Sequence, residues 1–287
     1  MSHAATIVWR MSKSPVRAPS TLSPSRASDF KTCPLMYRFR AIDRLPEPTT
    51  PAQMKGTLVH AVLERLYDLS AVDRTAKRAT SLLEPEWDRL RQRSPEAESL
   101  FDDGEAERRW LAEAAVLVES YFTVEDPTRL APAERECLIE AKLDNGIRMR
   151  GFIDRLDIAP GGQIRVVDYK TGSSPKPAFQ AQALFQLKFY ALALWRTRGV
   201  VPTVLRLLYL KDGQVLDYSP DEGELRRLER TVTALWRAID QAVATGDFKP
   251  RKGPLCGWCA YREYCPEFGG TPPPYPLPIA LDGMPLS

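Results

Sequence analysis

Along this chain the apolar residues change their period twice. Between 52 and 70 they recur at helical spacing, with Met54, Leu58, Val62 and Leu66 forming one stripe. Similar spacing predicts helices over 76–93 and 105–122. Ser23-Pro24-Ser25 opens an earlier short helix that carries Phe30 and Cys33 as far as Pro34. From 135 the period shortens, and 135–143, 147–158 and 163–169 read as the strands of an antiparallel meander. A helix over 179–198, strands over 204–210 and 214–218, and a helix over 221–245 follow, the last ending at Gly246, a favourable cap residue. Strands with a helical crossover between them predict an α/β core with helices on the sheet, the helices of 72–125 being an insertion. Residues 1–22, rich in Ser, Pro, Arg and Ala, read as a disordered lead-in, and 269–287 as an irregular tail.

The meander carries the first chemical signal. Asp154 and Asp168 are equidistant from Gly161 in the turn Ala159-Pro160-Gly161-Gly162. A hairpin symmetric about that glycine sets the two carboxylates opposite each other, and the two-residue period adds Lys170 to their face. Like charges directly opposite are destabilising, more so among Leu156, Ile158, Ile164 and Val166. A divalent cation would compensate, and a lysine beside a metal-held carboxylate pair is equipment for phosphodiester hydrolysis. Gly151 leaves room for another group to approach the sheet, and Thr171-Gly172 ends the strand after Lys170. His60 sits in an apolar helix one turn after Gly56, where a satisfied core histidine is the commoner outcome and metal ligation the sharper one. Gln186 and Tyr190, four apart, share a helix face.

Composition adds limits. A 287-residue chain with 44% hydrophobic content can bury a sizeable core in one large domain. The net charge of +3 does not mark a nucleic-acid binder. Basic residues cluster instead at Arg38, Arg40 and Arg44, at Arg148 and Arg150, and at Lys249, Arg251 and Lys252, each readable as a solvated face. No apolar run approaches membrane-spanning length and none resembles a signal h-region, so a cytoplasmic protein with reduced cysteines is expected.

Taken together, Gly56-x-x-x-His60, Gly151-x-x-Asp154, Asp168-Tyr169-Lys170-Thr171 and Gln186-x-x-x-Tyr190 resemble, in order, the RecB-like branch of the PD-(D/E)XK nuclease superfamily, with Ile153 in place of a proline before Asp154. The resemblance spans 23–268. It implies a restriction-endonuclease-like core, a central mixed sheet flanked by helices. It implies a Mg or Mn ion on His60, Asp154, Asp168 and the Tyr169 carbonyl, Lys170 acting on the attacking water and the phosphate, and Gln186 and Tyr190 in positioning. The activity implied is a DNA exonuclease on single-stranded or frayed ends in repair or recombination. The chain has no helicase-type phosphate loop, so unwinding would need a partner. The alternative is a non-catalytic DNA-binding or assembly module of the same fold.

Cys256-Gly257-Trp258-Cys259 with Cys265 is a ligand-like cluster for zinc or for iron–sulfur, and spacing does not choose between them. The AddB-type and CRISPR-associated RecB-like nucleases, which this layout resembles, carry one cysteine before the core and three after it. That resemblance implies a structural [4Fe–4S] cluster on Cys33, Cys256, Cys259 and Cys265, closing a subdomain at 249–268. Cys137 reads as a buried free thiol. Trp258, Tyr261 and Tyr264 interleave with Arg251 and Arg262, which suits either single-stranded nucleic acid or shielding of the cluster.

Overall fold

A computed structural model describes residues 18–97 and 99–275. By internal contacts the chain divides into two units, one comprising 21–25 and 47–234, the other 26–46 and 235 onward.

The larger unit is built on a five-stranded mixed sheet in the order β1-β2-β3-β4-β5: β1 (Glu134–Lys142), β2 (Arg148–Ile158), β3 (Ile164–Lys170), β4 (Val204–Tyr209) and β5 (Gln214–Tyr218). All neighbours are antiparallel except β3 and β4, which run parallel. A parallel pair needs a crossover. Here it consists of the short α7 (Gln180–Ala183) and α8 (Phe185–Arg198), which stops at Gly199 with φ 70°. The structure breaks the single helix expected over 179–198 at Leu184.

α3 (Pro51–Leu66) begins with a full capping box: Gln53 N–H donates to Thr50 Oγ1 at 3.2 Å, and Thr50 N–H to Gln53 Oε1 at 2.9 Å, with Pro51 in the first turn. The predicted stripe Met54, Leu58, Val62 and Leu66 is buried. The helix expected over 76–93 is two, α4 (Ala76–Thr80) and α5 (Leu83–Arg93). Pro85 is the reason, because its ring would clash with the Ser81 carbonyl of a continuous helix and it has no N–H to donate. α6 (Gly104–Val124) is capped by Asp103, which accepts from Ala106 N–H at 2.7 Å. Trp87, Trp110 and Val118 of these helices share one apolar cluster with Leu58 and with Val167, Tyr169, Leu208 and Leu210 of the sheet and its margin. The segment 72–125, expected as an insertion, therefore forms part of the layer covering one sheet face. α8 packs on the sheet across β1 to β4.

Leu22, assigned to the disordered lead-in, is fully buried, and its backbone bonds to Arg148 and Arg150 of β2 at 2.8 and 2.9 Å. Residues 1–17 of that expectation lie outside the described residues, as do 276–287 of the tail.

A buried polar centre lies under the α3–α6 layer. Arg155, 1% exposed, donates to the hydroxyls of Tyr67, Tyr121 and Tyr169 and pairs with Glu125 at 2.8 Å and Asp157 at 3.1 Å. Burial opposes ionisation of Glu125, but hydrogen bonds from Arg155 and Arg206 hold its carboxyl below the usual carboxylate range.

The smaller unit contains α1 (Pro24–Thr32) from Arg26 on, α2 (Pro34–Tyr37), a π-helical turn Arg38–Ile42, and the part of α9 (Glu222–Thr245) from Leu235 on. Gly246 ends α9 with φ 71°. Cys33 does not ride on α1 as expected. It is the extended residue before α2, where Pro34 rules out helical backbone.

Candidate active site

The β2–β3 register is the one implied by symmetry about Gly161: Arg155 pairs with Val167 and Ile158 with Ile164. Gly162 closes the turn at φ 83°. Ile158, expected among the buried neighbours, is instead 42% exposed at the turn end. One more step would pair Asp154 with Asp168, and there the ladder stops. Tyr169 N–H donates to Asp154 Oδ2 at 2.8 Å in place of a backbone carbonyl.

On the other side of β2, Arg135 pairs with Arg155 and Cys137 with Ile153, which sets Glu136 opposite Asp154. That pair too is missing from the ladder, and Glu136 has φ 43°, a left-handed conformation uncommon outside glycine. The ribbon changes sides at this point. Arg135 reaches the Glu64 carbonyl of α3, whereas Gly151, of the same parity as Arg155, lies against Tyr190 of α8. Three adjacent strands thus bring Glu136, Asp154 and Asp168 into one row, with Asp154 and Asp168 buried.

His60 of α3 donates from Nε2 to the Tyr169 carbonyl at 2.9 Å, and its Nδ1 faces Asp154 Oδ2 at 3.4 Å and Glu136 Oε1 at 3.9 Å. Burial alone would lower the imidazole pKa. The negative charges of Glu136, Asp154 and Asp168 around the ring outweigh it and push it up to about 9. Asp154 is pushed well above the carboxylate range by burial and by Asp168, against the pull of His60 and the Tyr169 N–H. Among the described residues, His60, Glu136 and Asp154 form the one trio with ligand atoms all within 4.8 Å of one another.

Lys170 Nζ stands 2.7 Å from Asp168 Oδ2 and donates to Gln186 Oε1 at 3.0 Å. Gln186 Nε2 in turn donates to the Tyr190 hydroxyl at 3.0 Å. The lysine contact with Asp168 is ionic without a directed hydrogen bond, and both Asp168 oxygens are buried without one. The Tyr190 ring fills the space that a side chain at residue 151 would need, since a Cβ on Gly151 would lie 2.5 Å from Tyr190 Cε1. A divalent cation fits these residues. The Asp168 oxygen that Lys170 does not reach, the crowded carboxylates and a neighbouring imidazole form a donor set suited to Mg or Mn.

Every residue singled out on the hairpin, on α3 and on α8 thus reaches one site: His60, Asp154, Asp168, Lys170, Gln186, Tyr190 and the Tyr169 carbonyl. Glu136 was missed. Its signal is positional, because Glu136 and Asp154 are equidistant from Asn145 in the Asn145-Gly146 turn, the same symmetry that pairs the aspartates.

In the smaller unit Cys33, Cys256, Cys259 and Cys265 line one cavity of about 190 Å³. Arg251 N–H points at Cys33 Sγ at 3.4 Å, and Gly253 N–H at Cys256 Sγ at 3.3 Å. Burial and the three companion cysteines raise the Cys265 thiol. Cys137, outside this set, is half-buried, and burial and Glu134 push it up to about 11. Of the aromatics beside the cysteines, Trp258 is 90% exposed. Tyr261 is buried against Phe39, which leaves it no open face for a base, and Tyr264 packs on the same ring. Arg262 stacks on Phe268, and Arg251 donates to the Lys31 carbonyl.

The chain is similar to the Gene 69 proteins of two mycobacteriophages. The match to that of phage L5 is 34% identical over 129 residues, 43% of this chain and 41% of that protein. The match to that of phage D29 is 25% identical over 272 residues, 86% of this chain and 96% of that protein. A further match, 28% identical, is to one of the ATP-dependent helicase/deoxyribonuclease subunits of Streptococcus mutans, covering 61% of this chain but only 16% of that protein. The fold is shared with a candidate exonuclease from Eubacterium rectale at TM-score 0.55 and 13% identity, over 84% of this chain and 88% of the other. No helix among the described residues is long and apolar enough to cross a membrane. The sequence profile of the PD-(D/E)XK nuclease superfamily matches residues 21–266, the span holding every residue of this site, and the chain belongs to that superfamily.

Proposed function

We propose that the protein is a divalent-metal-dependent DNA nuclease, an exonuclease working on single-stranded or frayed ends in repair or recombination. The observation that carries this reading is the row Glu136, Asp154 and Asp168, whose charge has the single ammonium of Lys170 at 2.7 Å from Asp168 and the imidazole of His60 against it. Such an arrangement is costly for a fold to keep without a cation to take up the charge. His60, Asp154, Asp168 and Glu136 would hold the ion, with the Tyr169 carbonyl beside them. When bound, it would lower the pKa of a water and neutralise charge on the phosphate.

The remaining work belongs to the chain's own groups. Lys170, tethered between Asp168 and Gln186, keeps its ammonium at the rim of the carboxylate row. There it can orient the attacking water and bind a non-bridging phosphate oxygen as negative charge grows in the transition state. Tyr190 fixes Gln186, and Gln186 fixes the lysine rotamer, so the chain of hydrogen bonds prepays the ordering of a flexible side chain.

The four cysteines are assigned a structural [4Fe–4S] cluster. The four cysteines line one cavity, and the layout of one cysteine before the core and three after it is the support for a cluster spanning both segments. Two backbone N–H groups aimed at sulfur support ligating thiolates. The likeness to a helicase/deoxyribonuclease component supports DNA as substrate and a helicase as partner.

The deciding experiment is digestion of end-labelled single- and double-stranded DNA with Mn, Mg or chelator, for wild type and Lys170→Ala. Metal-dependent shortening from an end, lost in the variant, is the expected result. Binding by both proteins with cleavage by neither under any metal overturns the reading. Absorbance of anaerobically purified protein tests the cluster, since zinc thiolates are colourless.

A further inference from the structure

The outer face of the β1–β2 ribbon has no role in the chemistry above, and its composition is unusual for a solvated sheet face. Leu138 pairs directly with Phe152, and the two are 46% and 50% exposed. The next outward pair is Glu140 with Arg150, and the next Lys142 with Arg148, all exposed. The inward positions between them, Ile139, Ala141, Met149 and Gly151, are buried, so the alternation is regular and this face is open by construction. Isolated exposed apolar residues are ordinary. An aromatic and a leucine facing each other, followed along the same face by two arginines and a lysine against one glutamate, form a patch with a direction: a flat apolar end and a cationic end.

The apolar end adjoins the carboxylate row. Phe152 lies two residues, about 7 Å, before Asp154 on β2, and Leu138 two residues after Glu136 on β1. Along β2 the ring comes first after the cleavage centre and the cationic end next, where Arg150 is paired with Glu140 at 3.6 Å and Lys142 stands beside Arg148. We infer that this face is a track for single-stranded nucleic acid, with a base stacked on Phe152 against Leu138 and the backbone held by Arg150, Arg148 and Lys142. The inference rests on the nuclease reading and specifies how the substrate is held. Unpaired bases offer the π-face such a platform requires, whereas paired bases in a duplex do not. The positive end supplies the sequence-independent attraction to phosphate. The phenyl ring has little rotamer entropy to lose on stacking, which suits it to the role.

The test uses the full chain with a single-stranded oligothymidylate and a duplex of equal length. Binding is measured in a Lys170→Ala background across a salt series, and KM and kcat in the active protein. Phe152→Ala should weaken single-strand binding about five- to hundred-fold and raise KM, Phe152→Trp should restore both, and duplex binding should change far less. Arg148→Gln with Arg150→Gln should flatten the salt dependence by about one unit of slope or more. A Phe152→Ala protein that melts as wild type and keeps single-strand affinity and KM within about two-fold overturns the track. So does loss of self-association with unchanged nucleic-acid affinity, which would make the face a contact between copies. If wild type neither binds nor cuts DNA under any metal, the nuclease reading itself has failed. If wild type cuts and Phe152→Ala cuts with the same KM, the track alone has failed.

Discussion

Gln186 has both ends of its amide engaged, the oxygen by Lys170 and the nitrogen by Tyr190, so a change at residue 190 is felt at the lysine. Tyr190→Phe removes one neutral hydrogen bond, of about 1 kcal/mol. The expected outcome is a kcat about five-fold lower with KM little changed, read from steady-state digestion of a labelled oligonucleotide. Glu136→Gln should raise the Mn or Mg concentration giving half-maximal activity by about ten-fold or more, measured by metal titration. Under the α3–α6 layer the paired charges of Arg155 and Glu125 make a different prediction. The Glu125 carboxyl titrates below its unfolded value, so its stabilising contribution is complete above about pH 4.3 and is lost as pH falls towards the depressed folded value. Denaturation midpoints between about pH 6 and pH 3 should therefore fall more steeply for wild type than for Glu125→Gln. At this scale the sequence revealed side chains whose spacing follows a turn or a helix. Arg155 escaped it, because nothing local distinguishes an arginine that will be 1% exposed from one in solvent.

The element that organises the site is a strand that leaves its partner early. The register of β2 on β3 was legible, since a two-residue period and a glycine turn leave little choice. The end of the ladder at Asp154 was not, because it depends on a side chain displacing a backbone carbonyl as acceptor for Tyr169 N–H. The break between α4 and α5 was readable in principle from Pro85, whereas the one at Leu184 has no such marker in the chain. Gly151 is tied to α8 by close approach. Gly151→Ala should displace the Tyr190 ring, lower stability by about 1–3 kcal/mol in a denaturant titration, and reduce cleavage. The double variant Gly151→Ala with Tyr190→Ala vacates the clash. The buried ring leaves a cavity in its place, so stability should stay below wild type but fall by less than the sum of the two single changes, with cleavage impaired.

Across the whole molecule, fold class and motif order were legible because they follow chain sequence, whereas the smaller unit showed itself only through the cysteine layout that joins Cys33 to 249–268, and its extent over 26–46 and 235 onward did not, because that follows from packing between distant segments. Cys33 is expected to act with Cys256, Cys259 and Cys265 as one ligand set. Cys33→Ser should abolish the visible absorbance of anaerobically purified protein and expose the segment around 250–268 to limited proteolysis, while Cys137→Ser should alter neither. The placement of those thiols also sets a clock on biosynthesis. At about 5–20 residues per second, Cys33 leaves the ribosome on the order of ten seconds or more before Cys265 is made. All strands of the sheet are complete in that interval. The cavity of the smaller unit thus forms after the sheet, and a chain stalled between Tyr218 and Cys256 carries all five strands and the carboxylate row but not the thiol set.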